Sequence, residues 1–394
     1  MSATPQLLVA GGGIGAMAAA FAVARAGWQV RIYEQASVFS EVGAGLQLGP
    51  NVTRILHAWG LGDALRAVAA FPERLLVRDA VSGAELGVLP LGESMCRRYG
   101  APYATLHRAD LHELLTRAGE ALGGVQPHLG QAVAGFDDQG MQVSIRVGAN
   151  EVEGDALLGA DGVHSKVRQQ LLEDGPPRPV GDLAWRAMLD ATRLPATLRA
   201  NQITLWMGRD LHVVQYPVRR GEALNVVAIA RGNVPLLEDV AAIAELERAT
   251  RGVCAPLAEL LAAVPQASLN DQPWRQWVLA AREPVRDAGQ MARGLVALLG
   301  DAAHPMRPYL AQGAGMAIED AAELAHALAM DVVDVPTRLK RYALARWQRV
   351  ARVQARSIRN GRIFHARGLM RLGRDASIRL LGQRLLDVPW LYRE

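Results

Sequence analysis

The feature that most constrains this chain lies near its start. An apolar run of strand length, Gln6-Leu7-Leu8-Val9-Ala10, gives way to Gly11-Gly12-Gly13-Ile14-Gly15-Ala16 and then to an Ala-rich helical stretch over 17–24. A second, alternating strand, Gln29-Val30-Arg31-Ile32-Tyr33, ends at Glu34. Strand, glycine turn, helix and strand in this order read as the opening unit of a nucleotide-binding α/β domain. Glycines at 11 and 13 let the backbone approach a pyrophosphate closely, and the helix N-terminus behind them attracts negative charge. Glu34, about 20 residues on, can accept hydrogen bonds from ribose hydroxyls. Gly11, Gly13, Ile14, Gly15, Ala16, Glu34 and the adjoining Gln35 are therefore expected to bind a dinucleotide. The spacing alone leaves FAD and NAD equally open.

The rest of the chain must build around that unit. Its 394 residues exceed the usual single-domain size and imply two lobes. Half of them are hydrophobic and 21% are charged, which permits a large core and excludes global disorder. No apolar stretch approaches the roughly 20 residues that cross a bilayer, and the first residues carry no basic leader. Stable membrane insertion and secretion are thus not expected, and the protein is read as cytoplasmic. Cys96 and Cys254 cannot form a disulfide framework or a thiolate zinc site, and the histidines are scattered, so no metal is expected.

The charge is uneven. From residue 338 onward there are 15 basic and 3 acidic residues, while the remainder has 28 basic and 36 acidic. A basic helical tail beside an acidic body is compatible with a homodimer. All but Lys166 and Lys340 of the basic residues are arginines, a bias that reads as composition rather than a phosphate-binding patch, and no nucleic-acid partner is expected. Arginines at 346, 349, 352, 356 and 359 fall three or four apart, as on a solvated or interface face of a helix.

Later segments alternate between helical and strand patterns. Short strands over 74–91 turn at Ser82-Gly83, helix returns over 106–121, and a hairpin and a strand follow over 133–159. Residues 181–283 are β-rich with a helix over 240–261, a buried strand spans 294–299, and the chain is mainly helical from Gly315. The fold class expected is α/β: a Rossmann-like, doubly wound and mostly parallel sheet, interrupted by a smaller β-rich domain and followed by a helical tail. The boundaries assign 1–73, 101–180 and 284–330 to the nucleotide domain, 74–100 and 181–283 to the β-rich domain, and 331–394 to the tail.

Two further motifs follow strands. Gly159-Ala160-Asp161-Gly162 comes after Asp155-Ala156-Leu157-Leu158, and Gly300-Asp301-Ala302-Ala303-His304-Pro305 comes after Leu295-Val296-Ala297-Leu298-Leu299. An Asp at a strand's carboxyl end points into the crevice where α/β folds bind ligands. With the glycine turn and His107-Arg108-Ala109-Asp110-Leu111, these segments occur in the order and spacing of the single-component FAD-dependent aromatic hydroxylases, and the chain resembles that family over essentially its whole length. The resemblance implies FAD as cofactor, NADH or NADPH and O2 as co-substrates, and oxygen transfer from a flavin C4a-hydroperoxide to an aromatic or heteroaromatic acid. It implies Glu34 on the adenosine ribose, Arg108 along the ribityl–phosphate chain and Asp301 on a ribityl hydroxyl. Asp161 falls in a segment used for both FAD and the nicotinamide, although a helix or turn cap would explain it equally. Pro308, Gly313, Ala314 and Gly315 look like the loop and helix N-terminus that face the flavin pyrimidine.

In the β-rich half, His212-x-x-x-Tyr216-Pro217 places two rings on one strand face. Packed core rings would look the same in isolation; a similar pair in the 3-hydroxybenzoate and 6-hydroxynicotinate hydroxylase branches implies a ring pocket, with His212 as base and Tyr216 holding the oxygen. The run His304-Pro305-Met306-Arg307-Pro308 with Ala311-Gln312-Gly313 most resembles the 6-hydroxynicotinate 3-monooxygenase branch. That branch carries histidines where Gln47 and Tyr309 stand here, so a different ring is implied, with Gln47 and Tyr309 hydrogen bonding near flavin or substrate. Other readings stay open: a quinone-ring hydroxylase or reductase of the same fold, or a non-catalytic flavin or nucleotide sensor. A halogenase is disfavoured by the lack of a Trp-x-Trp-x-Ile-Pro segment.

Overall fold

The computed structural model describes residues 4–39, 44–232 and 239–393. The chain divides into two compact units, one of residues 1–41, 111–178 and 280–357 and the other of residues 42–110, 179–279 and 358–394. The division differs from the boundaries read from the sequence in two places. Residues 42–73 and 101–110 belong with the β-rich unit, because Gly45–Leu48 pairs with Ala104–His107 and both are bonded into it: the Gly45 N–H donates to Asn225 Oδ1 at 2.8 Å, and Thr105 Oγ1 donates to the Pro217 carbonyl at 2.5 Å. The helical C-terminal stretch is shared, its residues joining the first unit up to Ser357 and the second from Ile358.

The first unit is built on a six-stranded sheet in the order Ala292–Arg293, Val296–Leu298, Ala156–Gly159, Gln6–Ala10, Gln29–Glu34, Val125–Leu129. All its pairings are parallel except the short edge strand. The strand Gln6–Ala10 sits centrally with chain leaving to either side, which makes its carboxyl end the switch point where such sheets take ligands. The helix Ile14–Arg25 follows it, Ala-rich and buried along most of its length, and packs on the helix Gly313–Leu328. Gly15 permits that approach, since a Cβ there would lie 2.7 Å from Leu299 Cδ2 and 3.2 Å from Ala317 Cβ. A separate antiparallel ribbon, Val133–Asp138, Val143–Val147 and Asn150–Gly154, completes the unit.

A buried ion cluster ties this unit together. Asp320, fully inaccessible, accepts from the Gly300 N–H, meets His304 Nε2 at 2.6 Å and accepts from Arg346 Nε at 2.7 Å. Arg346 also reaches Glu319, as does Arg349. Of the arginines read as a solvated or interface face, Arg346 and Arg349 are drawn inward: helical spacing identified the face, but the acids they meet lie on another helix.

The second unit holds a seven-stranded sheet in the order Arg275–Ala281, Arg178–Asp190, Ala223–Arg231, Leu211–Val218, Ile203–Met207, Arg74–Asp79, Glu85–Pro90, antiparallel apart from the pairing of Ile203–Met207 with Arg74–Asp79. Alternation sorts its side chains strictly. Trp185, Ala187, Val213, Val226 and Ala228 form one core with Leu257, Leu260 and Val264 of the helix Ala255–Ala267. Val77, Leu205 and Met207 face the other way, against Phe364, Ile378 and Leu386. The single helix expected over 240–261 is two, Asp239–Ala249 and Ala255–Ala267. Gly252 at φ +79° ends the first, and Pro256 in the first turn of the second starts it.

Removing one partner from a buried ion cluster leaves the other charges uncompensated. Arg346→Ala is expected to destabilise the protein by about 3–5 kcal/mol, read as a lowered midpoint in urea unfolding.

Candidate functional site

The glycine turn of the first unit is a backbone cradle. Gly11 has φ +99°, and a Cβ there would come within 2.5 Å of the Ala160 carbonyl oxygen, so only glycine fits. Gly13 caps the helix Ile14–Arg25 without any side-chain bond, which leaves first-turn N–H groups for a ligand. Glu34 ends its strand with both carboxylate oxygens positioned by backbone donors, the Gly12 N–H at 2.7 Å and the Ala36 N–H at 2.8 Å. The opposite side of the turn is pinned by His112, whose Nε2 lies 2.6 Å from the Gly12 carbonyl. Sequence reading gave His112 no role. Gln35 is exposed beside Glu34, while Ile14 and Ala16 are buried within the unit.

The other two strand-end motifs lie in the same unit. Asp161 Oδ2 accepts from the Lys166 and Val167 N–H groups at 2.8 and 3.3 Å, so the capping role holds. Its Oδ1 is buried with no hydrogen-bond partner, and burial raises its carboxyl above the ordinary range against the opposing bonds from Ser165 and the helix backbone. Asp301 is exposed on the turn Gly300–Ala302. That turn is held from below by Asp320 and by Arg168, whose guanidinium donates to the Ala302 and Ala303 carbonyls. Pro308 opens a second turn, Pro308–Leu310, in which Tyr309 is buried. The helix Gly313–Leu328 then begins at Gln312 with no side-chain cap and no acidic residue in its first turn, and Gly313, Ala314 and Gly315 line its start. Two uncapped helix ends, a cradle that a Cβ would fill and an orphaned buried carboxylate oxygen fit the phosphates and hydroxyls of FAD.

The second unit carries the ring-binding candidates. Tyr216 pairs directly with Asn225, and the register that aligns Arg186, Val227 and Val214 puts Arg186 on the same sheet face as Tyr216 and His212. Tyr103 donates to Gln47 Oε1 at 2.9 Å, and the Gln47 amide also bonds the Tyr216 hydroxyl. Burial pushes both phenols above their ordinary range; for Tyr216 the Arg186 charge and the Gln47 bond oppose it. The Arg186 guanidinium lies over the Trp277 ring, 4.9 Å from its centre. The Tyr392 ring stands edge-on to Tyr103 at 6.4 Å, its segment tied down by Tyr99 and Arg98 to Asp387 and by Arg54 to the Tyr392 carbonyl. Arg108 begins the helix Arg108–Glu120, half-buried, with its N–H on the Ala44 carbonyl at 2.8 Å.

Gln47 and Tyr216 thus meet, as one pocket requires, but the two rings of the His-x-x-x-Tyr pair end in different surroundings. His212 Nδ1 lies 2.9 Å from His365 Nε2, with Phe364 at 5.3 Å. Burial drags His212 well below the ordinary histidine range, and it takes His365 down to about 4. Tyr103, Arg186, Tyr392 and His365 were not singled out from the sequence. The alternation rule could have found Arg186 had the strand register been known; nothing local marks the other three.

Residues 3–357 match the family described as FAD binding domain. The chain belongs to that family. Among its relatives it is 38% identical to 3-hydroxybenzoate 6-hydroxylase of Polaromonas naphthalenivorans, over 98% of this chain and 95% of that one. It is 36% identical to 6-hydroxynicotinate 3-monooxygenase of Bordetella bronchiseptica, over 90% and 91% of the two chains. Among solved structures, HpxO of Klebsiella pneumoniae, complexed with FAD and uric acid, superposes with a TM-score of 0.85 at 26% identity, covering 97% of this chain and 94% of that one. The FAD-binding fold read from the sequence is therefore correct. Among the described residues no helix is long and apolar enough to cross a membrane.

Two buried neutral histidines make stability depend on pH. Both have folded-state pKa values below the unfolded value near 6.5, so the unfolded chain binds more protons beneath that pH. Stability is therefore full above about pH 6.5 and declines as pH falls toward 4. Melting temperatures measured from pH 8 to 4.5 should show this decline, and a His212→Gln, His365→Gln double variant should flatten it.

Proposed function

We propose that this protein is a FAD-dependent monooxygenase that uses NADH or NADPH and O2 to hydroxylate an aromatic or heteroaromatic carboxylic acid bearing a hydroxyl or amino group. The observation that carries the reading is the cluster of half-buried Gln47 with buried Tyr103 and Tyr216, beside Arg186, in a chain of the FAD binding domain family whose relatives carry hydroxybenzoate and hydroxynicotinate names. When bound, FAD supplies electron transfer from the nicotinamide and activation of dioxygen.

The protein's own residues supply position and field. The uncapped N-terminus of Ile14–Arg25 and Gly11 receive the pyrophosphate, and Glu34 receives the adenosine ribose. Asp301 and Arg108 hold the ribityl–phosphate stretch, and Pro308, Gly313, Ala314 and Gly315 border the flavin ring. N–H groups at the start of Gly313–Leu328 favour negative charge placed against them. In the second unit, Tyr216 and Gln47 hold a substituent oxygen of the substrate ring, and His212 takes the hydroxyl proton, which raises electron density on the ring. Arg186, stacked on Trp277, supplies the positive charge suited to the substrate carboxylate. The proposal includes a homodimer, supported by the excess of basic over acidic residues from 338 onward.

The test is oxidation of NADH and NADPH by the purified, FAD-loaded protein, with and without a panel of hydroxybenzoates, aminobenzoates and hydroxypyridine carboxylates, quantifying hydroxylated product beside peroxide. One acid should accelerate oxidation and emerge hydroxylated in near-equal amount; oxidation indifferent to every acid would sink the reading. With that acid, Arg186→Met should raise KM about 10- to 100-fold while leaving the bound FAD in place, as loss of a charge-assisted bond worth about 1.5–3 kcal/mol requires.

A further inference from the structure

Two imidazoles meet inside the second unit. His212 of the strand Leu211–Val218 and His365, just beyond the helix Val335–Phe364, are each 3% exposed, with Nδ1 of the first 2.9 Å from Nε2 of the second. Both are neutral near pH 7, because burial opposes their charging. Between two neutral rings only one of the facing nitrogens carries a proton, and the other must offer its lone pair. The direction of that bond decides which nitrogen of His212 is left as a base.

The groups around the pair decide the direction. Asp182, on the strand Arg178–Asp190, places Oδ1 3.9 Å from His365 Nδ1. Asp210 and Arg231 also act on His365 from the neighbouring turn and strand end, and Arg374 acts from the helix Gly368–Leu381. Asp210 is matched by Arg231 and Arg367, and Arg374 by Asp375, so their charges are largely balanced locally. The Asp182 carboxylate favours an N–H on the His365 nitrogen nearest to it, Nδ1. His365 Nε2 is then the acceptor, His212 Nδ1 the donor, and His212 Nε2 carries the lone pair.

We propose that His365, oriented by Asp182, is a positioning residue that fixes the tautomer of His212 and leaves its Nε2 as the base for an aromatic hydroxyl. The inference rests on the hydroxylase reading above and adds to it the residues that make His212 competent. In the step it serves, the substrate O–H bond breaks, an Nε2–H bond forms, and the electron pair stays on the ring oxygen. The resulting imidazolium keeps its Nδ1–H on His365, whose far nitrogen faces Asp182, an arrangement related to that by which a carboxylate supports a catalytic histidine elsewhere.

Nitrogen-15 NMR of the histidine rings in the full-length, FAD-loaded protein reads the tautomers without any substrate. The expected result is His212 protonated on Nδ1 and bare on Nε2; a His212 protonated on Nε2 overturns the proposal whatever the enzyme acts on. In kinetics with the acid found by the panel, His365→Phe keeps a ring in the apolar packing but removes the acceptor. Its kcat should fall about 10- to 100-fold with bound FAD unchanged and the acid limb of the pH profile displaced. His365→Gln, whose amide oxygen can accept, should recover most of that loss. A His365→Phe variant with wild-type kcat and pH profile overturns the proposal. If it does not fold, Asp182→Asn gives the same test by NMR: the His212 signals redistribute between tautomers as expected, or stay single and overturn the orienting role. Failure of every acid to stimulate the wild-type protein is separable, because it removes the hydroxylase reading and leaves the tautomer result standing.

Discussion

A carboxylate with no solvent must be neutralised where it stands, and Asp320 does this by gathering much of the first unit around it. Burial works against its charge, but His304 and Arg346 more than offset that and hold it down to about 2. The same oxygens receive the Gly300 N–H, at φ +58°, a backbone turn that glycine adopts without strain. Asp301 therefore stands on a turn anchored by an ion cluster, and the helix carrying Asp320 is the one whose uncapped start lies at 313–315. Structural and ligand-facing groups of this unit share one support.

The second unit solves a different problem. Strict alternation lets one sheet bury a tryptophan-rich core on one side and present His212, Tyr216 and Arg186 on the other. Along that second face the environment changes from apolar and imidazole contacts at His212 to phenol, amide and guanidinium groups at Tyr216. A strand advances about 3.3 Å per residue, so the backbones of residues four apart are separated by about 13 Å, more than the length of one substituted benzene ring. Only side chains as long as these two, leaning toward each other, can hold opposite ends of one small acid.

Much of this was legible beforehand because it is local. The glycine turn, Glu34 and the strand-end aspartates carry their meaning within a few residues, and the period of two placed His212 and Tyr216 on one face. The partnerships that decide chemistry are not local. His212 meets His365 across 153 residues, and Asp320 meets Arg346 between helices whose contact no periodicity announces. For Arg346 and Arg349 the spacing left a solvated and an interface face open, because it reveals a helix face but not what covers it. Arg186 escaped notice for a related reason, since its relation to Tyr216 passes through the register of three strands.

The interleaving of the two units has a consequence for how the chain acquires its structure. The central strand of the first sheet, Gln6–Ala10, is flanked on one side by Gln29–Glu34 and on the other by Ala156–Gly159, which waits in turn for Val296–Leu298. In the second sheet Arg74–Asp79 pairs with Ile203–Met207, more than a hundred residues downstream. Neither sheet can close on a contiguous stretch of newly made polypeptide, so unpaired edges persist during synthesis. Such nonlocal pairing is slow to form and exposes strands to wrong partners. The arrangement that gives each unit its face for chemistry thereby makes assembly a single late event rather than a succession of independent ones.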